Sequence, residues 1–76
     1  MHRAISDTII EYYRAKEKHG RMTLDGALSD DLHRLSALVE EVGEVANAMT
    51  YDSVGTDLRT ELIQVANVAL TWASTL

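Results

Sequence analysis

Leu35, Leu38, Val39, Val42, Val45, Ala46 and Met49 recur in steps of three and four, the spacing that lines one face of an α-helix. A run this regular commits the middle of the chain to a helix, and nothing nearby offers a competing strand pattern. The 76-residue sequence has no proline, so Gly20, Gly26, Gly43 and Gly55 supply the main punctuation. Helices joined by short glycine-marked loops follow.

The first helix is expected from about Arg3 to Lys18, with Ile5, Ile9, Tyr12 and Tyr13 as its apolar positions and His19-Gly20 as its stop. Arg14, Lys16 and Lys18 then lie near its end, where positive charge complements the helix dipole. Arg21 to Ser29 reads as a connection with Met22, Leu24 and Leu28 as anchors, after which Ser29 or Asp30 caps the second helix. Gly43 inside that helix costs about 1 kcal/mol relative to alanine, which suggests a close neighbour there or a merely tolerated glycine. Thr50 to Gly55 reads as a loop, with Ser53 or Thr56 capping a third helix that runs from about Asp57 to the C-terminus. Leu58, Leu62, Val65, Ala66, Ala69, Trp72 and Leu76 mark one of its faces, and Ile63, Val68 and Leu70 carry the apolar surface further round.

Such a helix wants neighbours on more than one side. A domain of this length buries only about 60% of the surface its unfolded chain exposes, and without cysteine it has no disulfide or zinc staple. The expected fold is therefore all-α: residues 1–76 as a single domain, a compact helical bundle of about three main helices, completed by oligomerisation into a homodimer or homotetramer in which the third helix is shared.

A formal charge of −5 disfavours a nucleic-acid partner, whose backbone is bound through clustered Lys and Arg. No run of eighteen apolar residues appears, so no membrane partner is expected and a cytoplasmic location follows as the working expectation. An acidic chain that handles phosphate needs a cation between them.

The acidic residues break the helical pattern in an informative way. Glu41 and Glu44 lie three positions apart on the second helix, flanked by Ala37 and Ala48, with Glu40 one step round. Glu61, Gln64 and Asn67 form a polar edge on the third helix that continues through Thr71 and Ser74. If the two helices pack antiparallel, Glu61 and Gln64 face Glu41 and Glu44. Carboxylates gathered in this way repel one another unless protons or cations compensate. Their oxygen donors select Mg²⁺, or Mn²⁺, and point to a phosphoanhydride substrate. Acids on helices are also commonly just a solvated face, and that account stands beside the first.

The run Leu38-Val39-Glu40-Glu41-Val42-Gly43-Glu44-Val45-Ala46, followed by Glu61-Leu62-Ile63-Gln64-Val65-Ala66-Asn67-Val68-Ala69, resembles the MazG-like family of all-α nucleotide pyrophosphohydrolases. The likeness spans about half the chain, and the stretch around Lys18-His19-Gly20 also looks like the lead into that family's acidic helix. The family carries an ExxE pair on one helix and an ExxD pair on the next. By position, the resemblance makes Glu41, Glu44 and Glu61 catalytic metal ligands, with Gln64 in the place where the family has aspartate. An amide oxygen ligates magnesium without adding charge, so metal binding should be weaker or lean on substrate phosphates. The implied reaction cleaves a nucleoside triphosphate between its α and β phosphates, giving a monophosphate and pyrophosphate.

Lys16, Lys18 and Arg21 are candidate phosphate contacts, or alternatively helix-end charges. His19 and Tyr51 are candidates to meet a base. A non-catalytic helical dimerisation module, or a nucleotide- or metal-binding module of the same family, is the competing function.

Overall fold

The structure is a computed structural model, which describes residues 1–50 and 57–76 apart from the Arg21 side chain. Three α-helices make up the described chain: α1 over His2–His19, α2 over Asp31–Ala48 and α3 over Leu58–Ala73. A single 3₁₀ turn over Gly20–Met22 follows α1. Among the described residues there is no strand.

Local chemistry sets each boundary. Helix α1 stops at His19 because Gly20 adopts a φ of 57°, a left-handed conformation that glycine enters without a Cβ clash. Lys16, Lys18 and His19 occupy its last turn, against the exposed carbonyls. Helix α2 begins where the Asp30 carboxylate accepts the His33 amide N–H at 2.8 Å. Helix α3 begins in the same way: the Asp57 carboxylate accepts the Arg59 amide N–H at 3.1 Å. Asp57 is thus the cap, while the expected caps Ser53 and Thr56, like Tyr51, lie outside the described residues. The third helix ends at Ala73, short of the C-terminus.

Helix α3 lies between the other two, which make no close backbone approach to each other. It runs antiparallel to α2. The indole N–H of Trp72, near the end of α3, donates to Asp31 at the start of α2, at 2.9 Å. It runs parallel to α1, as shown by an Arg59–Asp7 ion pair at 2.8 Å and a Gln64–Glu11 hydrogen bond one turn further along both helices. The loop after α1 is tied back by Arg34, whose guanidinium donates to the Leu24 carbonyl at 2.6 Å and the Ser29 carbonyl at 3.3 Å.

The apolar faces expected to form a core are largely on the outside. Val68, 5% exposed, is the one buried apolar side chain among the described residues; the other buried positions are Thr8, Thr23, Asn67 and Thr71. On α1 the inward residues are Ala4, Asp7, Thr8, Glu11, Tyr12 and Ala15, whereas Ile5, Ile9 and Tyr13 are exposed. On α3 the polar edge of Asn67 and Thr71 is buried, while Leu62 and Leu76 are exposed. The physical reason is polar matching. Thr8 satisfies itself on the Ala4 carbonyl at 2.7 Å, and the Thr71 hydroxyl donates to Asn67 Oδ1 at 3.3 Å. Small paired polar groups can then fill the seam where α1 meets α3. Among the described residues, nothing lies within 4 Å of where a Cβ on Gly43 would stand.

Candidate functional site

The antiparallel pairing of α2 with α3, and the parallel pairing of α3 with α1, bring acids from three helices to one cleft of about 730 Å³. Glu40, Glu41 and Glu44 enter it from α2, Glu61 and Gln64 from α3, and Glu11 and Glu17 from α1. Lys18, His19 and Arg14 line the same cleft. Glu41, Glu44, Glu61 and Gln64 are thus brought together.

Glu41 has the most strained electrostatics of the set. Partial burial pushes its carboxyl above the ordinary value, and the negative charges of Glu61, Glu40, Glu44 and Glu11 push it further in the same direction. The repulsion from Glu61 crosses between helices, so these two carboxylates feel each other through the shared cleft. Carboxylates crowded in this manner gain from a proton or a cation placed among them. Among the described residues, no three acids or histidines are already drawn into a ready-made metal cage.

Glu11 was not singled out by sequence. Its carboxylate accepts the Gln64 side-chain N–H at 2.8 Å and pairs with Arg14 at 3.0 Å. The amide nitrogen of Gln64 is thereby engaged, leaving the carbonyl Oε1 as the atom it can offer to a cation. The signal that could have found Glu11 is the small and polar stripe Ala4-Asp7-Thr8-Glu11-Ala15, which has helical spacing of its own beside the isoleucines.

The three candidate phosphate contacts have different surroundings. Lys18 lines the cleft. Lys16 does not: its ammonium donates to the Tyr12 hydroxyl at 2.8 Å and lies 3.5 Å from Asp25. The Tyr12 hydroxyl in turn donates to Asp25 at 2.6 Å and is the main cause of the lowered Asp25 pKa. This triad fastens the loop after α1 to the helix. The Arg21 side chain lies outside the described residues.

A second pocket of about 300 Å³ adjoins the cleft and shares Ala15, His19, Glu40, Glu41 and Gln64 with it. Tyr12, His33, Asn67 and Thr71 line its remaining wall. The Ser29 hydroxyl donates to the Thr23 carbonyl at 2.8 Å and sits 3.0 Å from His33 Nδ1.

No family model, no curated protein and no solved structure matches this chain.

Proposed function

We propose that the chain is a magnesium-dependent nucleoside triphosphate pyrophosphohydrolase of the MazG-like kind, acting at the acidic cleft. The observation that carries the reading is the convergence of Glu41 and Glu61 from antiparallel helices, felt as mutual repulsion at a half-buried carboxyl. The donor set is all oxygen and is rich in charge, the chemistry that suits a hard divalent cation.

Glu41, Glu44 and Glu61 would hold the metal, with the Gln64 carbonyl as a neutral fourth donor. Magnesium would neutralise the phosphate charge and lower the pKa of water at the site. The remaining work falls to the chain. Lys18 and Arg14, on the rim, offer positive charge to phosphates that the carboxylates alone would repel. Glu40, outside the ligand set, is the candidate to orient a water and take its proton. Glu11 positions Gln64 by holding its amide nitrogen. The adjoining pocket, with the amide of Asn67 and the ring of Tyr12 on its wall, is where the base would lie.

The reading includes self-assembly, supported by how little of its apolar surface the single chain covers. It also includes a cytoplasmic setting, supported by the lack of cysteine. Among the described residues no helix is long and apolar enough to cross a membrane.

A second reading, a nucleotide- or metal-binding module without turnover, draws on the neutral Gln64 and the lack of a ready-made cage among the described residues. Product analysis separates the two. Incubation of a panel of ribo- and deoxynucleoside triphosphates with Mg²⁺ should yield monophosphate and pyrophosphate in equal amounts, and Glu44→Ala should abolish both while leaving helicity intact. Release of orthophosphate instead, or turnover that survives in Glu44→Ala, rules out this site. Binding without any product supports the module.

A further inference from the structure

Asn67 stands on the wall of the pocket beside the acidic cleft, in the middle of α3 and only 6% exposed. Its Oδ1 accepts the Thr71 hydroxyl at 3.3 Å, whereas among the described residues its Nδ2 has no hydrogen-bond partner. That nitrogen is not sealed in protein, because among the described residues the one fully buried side-chain atom without a partner is Asp25 Oδ1. The amide N–H groups of Asn67 therefore open onto free space. The residue also borders a groove between α1 and α3, but that groove shares no lining residue with the acidic cleft, and the pocket does. A largely buried amide with unused protons is destabilising until a ligand acceptor is set against it.

The neighbouring groups leave the donating role to Asn67. The Tyr12 hydroxyl gives its proton to Asp25 and accepts from Lys16, and the Thr71 hydroxyl gives its proton to Asn67. His33, on the same wall, is exposed. The Thr71 bond also sets the sense of the amide. An asparagine pairs with adenine by accepting from the 6-amino group while it donates to N7. Here Oδ1 turns to Thr71, one helical turn on, and the nitrogen is the atom presented to a ring. The placement fits a nucleotide. Glu61 and Asn67 lie on the same helix, separated by about 9 Å of helical rise, a distance that a nucleotide covers between its phosphates and the far edge of its base.

We infer that Asn67 reads an exocyclic carbonyl of the base, so that the pocket takes oxo bases such as uracil and hypoxanthine in preference to their amino counterparts, cytosine and adenine. A carbonyl oxygen accepts from the amide nitrogen. An amino group turned to the same atom sets donor against donor and leaves both unpaired. Thr71 acts through Asn67 as a positioning residue, holding the amide in its donating sense. The inference rests on the placement of the base proposed above, and it is read from binding, which needs no turnover.

Calorimetry of the full chain with Mg²⁺ and α,β-methylene triphosphates, which the proposed cleavage leaves intact, compares uridine with cytidine and inosine with adenosine. Each pair differs only in an oxo for an amino group and the ring proton that goes with it. In the ring size that the pocket takes, the oxo member should bind roughly tenfold or more tightly. Asn67→Leu should bring the two members within about twofold of each other. Thr71→Val lets the amide turn and should cut the preference by about threefold or more, through tighter binding of the amino member; it decides the matter should Asn67→Leu not fold. An amino member that binds as well as its oxo partner in both pairs overturns the inference, as does a preference unchanged in the folded variants, or no binding by any of the four. Pyrophosphate release seen beside equal binding would leave the reading of the cleft standing without this inference. A preference seen with no pyrophosphate released would uphold the inference for a binding module.

Discussion

The side-chain amide of Gln64 on α3 donates to the carboxylate of Glu11 on α1 at 2.8 Å, across 53 residues of sequence. That one bond links the helix that closes the cleft to the helix pair that carries its acids. It also decides which atom of Gln64 remains for a ligand.

Replacing Gln64 by aspartate removes the donor to Glu11 and adds a charge to a cleft that already repels itself. The variant should melt at a lower temperature than wild type in chelator. The gap should close or reverse in millimolar Mg²⁺, with magnesium bound roughly tenfold tighter as ligand charge rises. Differential scanning calorimetry with and without the cation checks both halves.

Glu41 supplies a pH test with a definite sign. Its folded pKa is raised, so relative to the unfolded chain the folded state holds this proton more firmly. The associated stability is full below the ordinary carboxyl value near 4.5 and is lost as pH rises through the raised folded value. Glu41→Gln should abolish that loss, making the variant more stable than wild type at neutral pH without divalent cations. Urea midpoints across pH 4 to 7 read the difference; saturating Mg²⁺ should shrink it in favour of wild type.

Tyr12→Phe removes the hydroxyl that donates to Asp25 at 2.6 Å, and among the described residues Asp25 Oδ1 has no other hydrogen-bond partner to make up the loss. The cost should be about 1.5–3 kcal/mol at neutral pH, the range for a hydrogen bond to a charged group. The Asp25 pKa is lowered, so its stabilising contribution is present above the ordinary value and lost as pH falls through the lowered one. Wild type and Tyr12→Phe should therefore converge in acid. Urea unfolding at neutral pH and at about pH 3 measures the convergence.

Those outcomes depend on features that differ in how plainly the sequence announces them. The stop at Gly20 and a cap at Ser29 or Asp30 follow from local chemistry, and the structure has the stop and takes Asp30 as the cap; the sharing of one cleft by Glu41 and Glu61 was expected only if α2 and α3 pack antiparallel, as they do. The inward face of α1 does not follow. Its isoleucines announce where apolar surface is, and periodicity alone is silent on whether the covering neighbour belongs to the same chain. The burial of Asn67 and Thr71 was hidden for a related reason. Two polar side chains that satisfy each other can be buried at little cost, yet they look like a solvent edge until the partner helix is placed. Glu11 entered the site only through the parallel alignment of α1 with α3, a relation between segments with no local signature.

The account rests on acids from two helices holding one hard cation between them, and Mn²⁺ binding followed by the electron paramagnetic resonance of the free ion tests this most directly. Wild type should take up Mn²⁺, more tightly with a nonhydrolysable nucleotide present, and Glu41→Gln and Glu61→Gln should each weaken uptake by tenfold or more, about 1.4 kcal/mol. Uptake unchanged in both variants, or absent from wild type even with nucleotide, would contradict it.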